Sequence, residues 1–438
     1  MPRKEGKVSL YVCGVTPYDA LHIGHARAFI VYDMLRRVLE ARGFEVMHIQ
    51  NVTDVDDKII NRAAELGVSA QELAERFTAE AADDFRDLDM LAAHQMPRVT
   101  GHIGGIIEMI QGLEAKGYAY ARGGDVYFDV SQDADYGKLS GQKVDELEAG
   151  ARIEAGEHKD DPLDFALWKA AKPGEPSWES PWGTGRPGWH IECSAMALNL
   201  LGAGFDIHGG ARELVFPHHE NEVAQSESFL DGATFAQTWW HCGELRVDSK
   251  KMSKSLGNFV TVRQGLQMAP KNVWRLLFLM THPRSPVDYS EDRLTQTKSA
   301  WGRLHNALSE LPPHRQYSES GQASLDLQAR FDAALADDLN TPEALAAIFD
   351  AVSEWHRNQE HELAWTARAA LEMLGFTFEA KSMGDGLTPQ LMELLIQVRH
   401  DARERRDFKT SDTIRDELKQ LGVVLEDTPD VTRWKIEQ

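Results

Sequence analysis

The sequence predicts an α/β protein: a parallel sheet covered by helices, an α+β insertion within it, and all-α units towards the carboxy-terminal end. Three observations carry this. Strand-like apolar runs alternate with helical patterns over roughly the first hundred residues, as a parallel, helix-covered sheet requires. The alternation breaks at Tyr118 and resumes at Cys193, and beyond residue 300 only helical periodicity remains.

The first element is an apolar run ending at Cys13. A turn through Thr16, Pro17, Tyr18 and Asp19 follows, and a helical pattern begins near His22. That helix runs to Arg42, with Phe29, Ile30, Met34, Leu35, Val38 and Leu39 at helical spacing and Gly43 as its stop. A helix start presents unpaired N–H groups and the positive end of the dipole, so phosphate is its natural guest. The glycine-rich dinucleotide fingerprint does not occur there. Two imidazoles, His22 and His25, flank Ile23 and Gly24 instead. Gly24 lets a flat base approach the backbone, and the histidines can donate to phosphate oxygens. Taken alone, a helix with two partly exposed histidines is the commoner arrangement.

Phe44 to Val52 reads as a second strand, and residues 54–57 open a helix with acids in its first turn. Ser69-Ala-Gln-Glu72 predicts a capping box for a helix carrying Leu73, Phe77, Phe85 and Leu88. Sheets of this Rossmann type bind ligands at the carboxyl ends of their strands, where Cys13 and Thr53 fall. After a helix ending near Gly117, Tyr118-Ala-Tyr-Ala and Asp125-Val-Tyr-Phe-Asp-Val read as a hairpin around Arg122-Gly-Gly. Short strands, an acidic helix and a loop rich in Pro, Gly and Trp follow, to about residue 185. The αβ pattern returns with Cys193 to Leu201, Phe205-Asp-Ile-His-Gly-Gly and a helix from near Pro217.

Leu325 to Trp355 is amphipathic and broken at Asn340-Thr-Pro342. Leu391 to Leu421 is a highly charged helical pair around Phe408-Lys-Thr-Ser411, and residues 376–388 read as a linker. The expected organisation is therefore 1–117 and 188–245 as the two halves of the sheet domain, with 118–187 inserted between them. A lysine-rich loop region spans 246–300, a helical bundle 301–378 and a further helical region 388–438.

Composition sets bounds. Hydrophobic residues make up 42 % and charged residues 26 % of the chain, ordinary for a soluble globular protein. Neither an apolar run long enough to span a bilayer nor a basic-plus-apolar leader is found, so no membrane partner and a cytoplasmic location are expected. A net charge of −22 discourages indiscriminate attraction to nucleic acid, and a nucleic-acid partner would need a locally basic surface. Three widely spaced cysteines, Cys13, Cys193 and Cys242, argue against a disulfide framework and for free thiols or metal ligands.

Three constellations bear chemistry. His218 and Glu222 stand four apart on one helix face, and with Cys13 and Cys193 they make a plausible zinc set. By spacing alone this is weak: Cys-x-x-Cys is absent, His219 competes with His218, and two buried cysteines beside a solvent-facing histidine pair are about three times commoner. Lys250-Lys-Met-Ser-Lys-Ser-Leu-Gly257 is a short basic loop whose lysines could neutralise a phosphoryl group in a transition state; a solvated turn is its commoner fate. Trp178, Trp182 and Trp189 lie among Pro and Gly, and for Trp178 and Trp182 capping of a small core is the default.

Taken together, His22-Ile-Gly-His25 and Lys251-Met-Ser-Lys-Ser255 resemble the paired signatures of class I aminoacyl-tRNA synthetases. The surroundings look like the cysteinyl-tRNA synthetase family in particular: Asn51-Val-Thr-Asp-Val-Asp-Asp-Lys, Gly188-Trp-His-Ile-Glu-Cys-Ser-Ala-Met, Phe216-Pro-His-His-Glu-Asn-Glu and Asp337-Asp-Leu-Asn-Thr-Pro-Glu. The resemblance extends through Ile414-Arg-Asp-Glu-Leu and Gly422-Val-Val-Leu-Glu-Asp-Thr-Pro, nearly the whole chain. It implies that Cys13, Cys193, His218 and Glu222 bind one Zn²⁺ that holds the thiolate of substrate L-cysteine, a bond serine's hydroxyl cannot equal. Trp189 matches an aromatic beside the substrate amino group, and Thr53 a residue lining the same pocket. Gly14 joins them at the substrate, and Gly24, Ser253 and Ser255 belong with the nucleotide.

The implied reaction has two steps: the cysteine carboxylate attacks the α-phosphorus of ATP, accompanied by Mg²⁺, and the terminal ribose of tRNA(Cys) then takes the acyl group. Positioning and charge stabilisation suffice for it. His22 and His25 would bind the phosphates, with Lys254 and Lys251 closing over the pyrophosphate. For the carboxy-terminal arginines interleaved with acids a solvated, salt-bridged surface is the commoner arrangement, and the resemblance implies RNA contact by that region; a monomer is expected. One departure falls after Gly209-Gly210, where the family's Gly-Ser-Asp is Ala211-Arg212-Glu213, leaving the ribose contact unassigned. Two rivals remain. A related ligase of mycothiol synthesis passes cysteine to an amino sugar, and the carboxy-terminal helices argue against it. A silent relative is the other, and intact His22, His25, Lys251 and Lys254 argue against that.

Overall fold

A computed structural model describes residues 2–143, 158–248, 250–251, 258–309, 311, 321–378, 387–420, 423–427 and 432–436. The chain forms two compact units, residues 1–377 and 378–438. In chain order the first contains β1 (Lys7–Val15), α1 (Ile23–Ala41), β2 (Glu45–Val52), α2 (Asp57–Leu66), α3 (Ala70–Asp87), α4 (Ile103–Ala115), β3 (Ala119–Arg122), β4 (Asp125–Phe128), β5 (Phe165–Ala170) and β6 (Gly185–Pro187). It continues through α5 (Trp189–Leu201), β7 (Phe205–Ala211), α6 (Glu220–Phe229), β8 (Ala236–Cys242), β9 (Leu245–Val247), β10 (Lys250–Lys251), α7 (Val262–Met268), α8 (Lys271–Leu279), β11 (Val287–Tyr289) and four helices at most eighteen residues long, α9 (Glu291–Leu308), α10 (Gln322–Ala336), α11 (Thr341–Asn358) and α12 (His361–Met373).

The parallel sheet has the order β2-β1-β7-β8. From β1 the chain crosses over α1 to β2 on one side, and the later β7 pairs on the other, Val12 facing Gln50 and Gly209 respectively. The switch point thus lies between β1 and β7, and the crevice beyond their carboxyl ends is where such sheets take ligands. Gly14 stands at this edge. A Cβ there would come 1.7 Å from the Asn51 carbonyl oxygen, so only glycine lets β1 and β2 close at their ends.

The helix starts follow local chemistry. Asp56 caps α2 by accepting from the Lys58 N–H at 2.8 Å, and Ser69 caps α3 by accepting from Glu72 at 3.1 Å. The helix expected from Pro217 begins instead at Glu220, after two tight turns, Arg212–Leu214 and Val215–His219. Phe216 is extended (φ −137°, ψ 133°) because the residue before proline is pushed out of the helical region.

The insertion is an antiparallel sheet, β3-β4-β5-β6, and it shares one core with the parallel sheet: Phe128, Phe165 and Trp168 pack in the same cluster as Tyr11, Ile49 and Ile191. Trp178 and Trp182 are packing residues as expected, but they pack against this shared cluster and not a small core of the insertion's own. The acidic helix of the insertion and most of the linker fall on residues 144–157 and 379–386, outside the described residues.

Arg275 of α8 ties the unit together. Its guanidinium is fully buried and donates to Asp33 Oδ2 of α1 at 2.7 Å, to the Leu88 carbonyl at 3.1 Å and to the Leu374 carbonyl at 3.2 Å. Arg275→Ala is expected to destabilise the 1–377 unit by about 3 kcal/mol, read from its urea unfolding midpoint. The loss sits at the low end for a broken buried pair because Arg37 still donates to Asp33 at 2.9 Å.

The second unit holds α13 (Leu387–Glu404) and α14 (Phe408–Gln420), the expected helical pair. To these it adds a hairpin, β12 (Val423–Asp427) with β13 (Thr432–Ile436), and Met392, Leu418 and Leu425 form its small core.

Candidate active site and metal centre

A cavity of about 590 Å³ opens at the switch point, lined at one end by Cys13, Cys193 and His218 and at the other by His22, Gly24 and His25. Gly14, Thr53 and Trp189 also line it, so the described substrate and nucleotide positions read from the sequence meet in one cleft. Lys251 ends β10, paired with Arg246 of β9. Ser253, Lys254 and Ser255 lie outside the described residues. The chain on the far side of that loop returns to the start of α1, where Ile23 N–H donates to Val260 at 3.0 Å and Val262 N–H to Leu21 at 2.8 Å.

At the thiol end β1 brings Cys13, α5 brings Cys193, the turn before α6 brings His218 and the first turn of α6 brings Glu222. Their exposures are 8 %, 2 %, 2 % and 0 %. Cys13 Sγ stands 3.7 Å from Cys193 Sγ, 3.6 Å from His218 Nε2 and 3.6 Å from Glu222 Oε1, and His218 Nε2 lies 3.0 Å from Glu222 Oε1. Donors on a tetrahedral zinc with bonds of about 2.0–2.3 Å stand roughly 3.3–3.8 Å apart. The three edges from Cys13 Sγ fall in that range, and the histidine-carboxylate edge is a hydrogen-bond length.

His219 adds a fifth donor that the sequence left open. Its Nε2 is 3.3 Å from Cys13 Sγ, and Cys13, His218, His219 and Glu222 place their donor atoms within 4.8 Å of one another. The two imidazoles differ in outlook. His218 lines the cavity and stacks on Trp189 with ring centroids 4.3 Å apart, whereas His219 turns beneath it to His241, Nδ1 to Nε2 at 2.7 Å.

The electrostatics of this cluster suit a cation. The hydrogen bond from Cys13 lowers the Cys193 thiol to about 6, and burial pushes Cys13 well up. Burial opposes charge on His218, yet Glu222 and Cys193 raise it to about 10. Burial likewise opposes charge on Glu222, but His208 and His218 hold its carboxyl well below the usual range. His208 Nε2 is 2.8 Å from Glu222 Oε2, both groups fully buried, so it fixes the orientation of that carboxylate. A protonated His218 answers only one of the two buried anions, the Cys193 thiolate and the Glu222 carboxylate, and a divalent ion among these donors would answer both. The residues present therefore fit a zinc ion.

At the phosphate end, His22 is the residue preceding α1, and a reciprocal cap joins the two imidazoles. His25 N–H donates to His22 Nδ1 at 3.2 Å, and His22 N–H donates to His25 Nδ1 at 3.3 Å, the rings stacked at 3.6 Å. With Nδ1 accepting in both, the Nε2–H of each ring is left as its outward donor. Burial and the charges of His22 and Lys58 lower His25 to about 3, so it stays a neutral donor. Thr53 accepts from Asn51 Nδ2 at 3.2 Å, and Glu213 lines the cavity.

Sequence reasoning gave no role to Tyr18, Lys58, His190, His208 or His241, although Lys58, His190 and His208 lie within or beside quoted motifs. His190 Nδ1 meets His218 Nδ1 at 3.0 Å, and Lys58 lines the cavity. Only the fold brings them in, since they come from α2, α5, β7 and β8. Cys242 is fully buried at the end of β8, and burial raises its thiol to about 11.

Among known proteins, residues 1–299 match the family model described as the class I (C) tRNA synthetase catalytic domain, 330–380 a DALR domain and 385–434 the cysteinyl-tRNA ligase anticodon binding domain. The cysteine–tRNA ligase of Carboxydothermus hydrogenoformans is 48 % identical over 99 % of this chain and 97 % of its own length. That of Stutzerimonas stutzeri is also 48 % identical, over 99 % and 96 %. Among solved structures, Mycobacterium tuberculosis methionyl-tRNA synthetase with methionyl-adenylate aligns with a TM-score of 0.60 at 17 % identity, covering 84 % of this chain and 89 % of that one, which speaks for the fold alone. The chain belongs to the cysteinyl-tRNA synthetase family, and its activity is ATP-dependent ligation of cysteine to tRNA.

Proposed function

We propose that within this activity the two ends of the cavity divide the work: Cys13, Cys193, His218 and Glu222 hold a zinc ion that selects the thiol, and His22 and His25 hold the nucleotide phosphates. The observation that carries this is one cleft that joins Cys13, Cys193 and His218, with Glu222 against Cys13 and His218, to two capped imidazoles. Zinc, when bound, supplies a soft Lewis acid for a thiolate. The chain's own residues do the rest. Trp189, stacked on His218, walls the amino-acid end. The Nε2–H groups of His22 and His25 donate to phosphate oxygens while the substrate carboxylate attacks the α-phosphorus and pyrophosphate leaves. Lys254, with Lys251, neutralises the leaving pyrophosphate, and Mg²⁺ accompanies ATP. The tRNA acceptor end then enters the same cleft, with the 388–438 region reading tRNA(Cys).

We further infer a cytoplasmic monomer. Three buried free thiols suit a reducing compartment, and no described helix is long and apolar enough to cross a membrane.

Zinc-loaded protein is expected to exchange pyrophosphate into ATP with cysteine and not with serine, and to charge tRNA(Cys). Exchange followed by loading of an amino sugar alone would overturn the acceptor, and equal exchange with serine would overturn the zinc-thiolate reading.

A further inference from the structure

We propose that Lys58 is the cation that binds the substrate carboxylate and holds it against the α-phosphate during adenylate formation. The inference rests on the placement of the thiol end and the phosphate end given above. Among the described residues lining the cavity, Lys58 is the one lysine or arginine.

Its position is built by α2. Asp56 caps that helix, and Asp57 ties it to the insertion through Lys169 at 2.7 Å and through Arg186. Lys58, the next residue, is exposed and lines the cavity. Its ammonium lies over the Tyr18 ring at 5.6 Å and over the Trp189 ring at 5.7 Å, within cation–π reach of both. Its charge also reaches His25, which it helps to keep neutral. The ammonium thus stands between the wall of the thiol end and the phosphate-binding imidazoles.

Of the nearby acids, Asp19 also lines the cavity and accepts from the Ala20 N–H at 2.8 Å, and the three acids before and beside Lys58 are engaged elsewhere. Asp54 accepts from Thr100 at 3.0 and 2.6 Å, Asp56 from its own helix start, and Asp57 from Lys169 and Arg186. Among the described residues Lys58 makes no ion pair, while two aromatic faces limit where its head can go.

The reaction needs a charge at this point. A carboxylate oxygen forms a bond to the α-phosphorus as the bond to the bridging oxygen breaks, and the electron pair leaves with pyrophosphate. Two anions must therefore meet, and His25, held neutral, offers a dipole only. The Lys58 ammonium acts by charge, as a catalytic residue in contact with the carboxylate.

The test uses full-length, zinc-loaded protein with Lys58→Gln and Lys58→Arg. Three thiol ligands separate the functions: cysteine, 3-mercaptopropionate (carboxylate, no amine) and cysteamine (amine, no carboxylate). Lys58→Gln is expected to weaken cysteine and 3-mercaptopropionate binding about tenfold and to slow cysteine-dependent pyrophosphate exchange about a hundredfold. Cysteamine should bind as well or better, because a like charge has gone, and Lys58→Arg should recover much of the carboxylate binding. Equal weakening of cysteamine, or unchanged exchange, would overturn the proposal. Failure of the thiol placement reads differently: cysteamine binding would then survive Cys193→Ser in protein that retains Lys58.

Discussion

Cys193→Ser is expected to lose zinc and cysteine affinity together, lowering zinc affinity about a hundredfold and cysteine-dependent exchange by at least as much. Four protein donors sharing an apparent binding free energy of roughly 10–16 kcal/mol contribute about 3 kcal/mol each, which is about a hundredfold per lost ligand. The exchange of sulfur for oxygen also removes the group best placed to be anionic, since Cys193 is the thiol lowered to about 6. Zinc content by metal analysis and cysteine affinity by equilibrium binding check the two losses separately. Retention of both would refute the ligand set. His219→Ala should leave cysteine binding far less affected, because His219 lies beneath the cavity wall and His218 forms part of it.

This contrast shows where the sequence is and is not legible. The pairing of His218 with Glu222 follows from helical spacing, and it holds even though α6 begins three residues later than Pro217 suggests. The strand-turn-helix around His22 is equally local, a run of apolar residues, a turn and a cap. The joining of Cys13 to Cys193 is different in kind. Those residues are 180 positions apart, and only the crossing from β1 to β7 places α5 against the strand end. No spacing rule reports that contact, so by residues alone two buried cysteines were the better reading and the family resemblance had to decide. His208, His241 and Lys58 were missed for the same reason: each acts through a partner on another element. The C-terminal hairpin was missed because its strands are only five residues long, so the apolar run Val423-Val-Leu425 and the alternation of Arg433-Trp-Lys-Ile436 fill too short a window beside the charged helical pair.

At the other end of the cleft, His25→Ala is expected to slow adenylate formation by about 10²- to 10³-fold while leaving cysteine affinity nearly unchanged. The size follows from losing a donor aimed at developing charge, and the selectivity from its distance from the thiol cluster. Because each imidazole accepts the other's backbone N–H, removing one ring also frees the other from its orientation. His22→Ala, His25→Ala and the double variant should therefore have similar rates, a non-additivity measurable by a double-mutant cycle on exchange. His25→Gln, which keeps a side-chain N–H, should recover part of the loss. The pH profile gives an independent check. A histidine lowered to about 3 takes up its proton only below that pH, so protonation of His25 cannot produce an acid limb between pH 5 and 8. Substituting His25 should thus scale the exchange profile down without moving its inflections. An inflection near 6 to 7 that vanished in His25→Ala would mean the imidazole works as a charged group, and the neutral-donor assignment would fall.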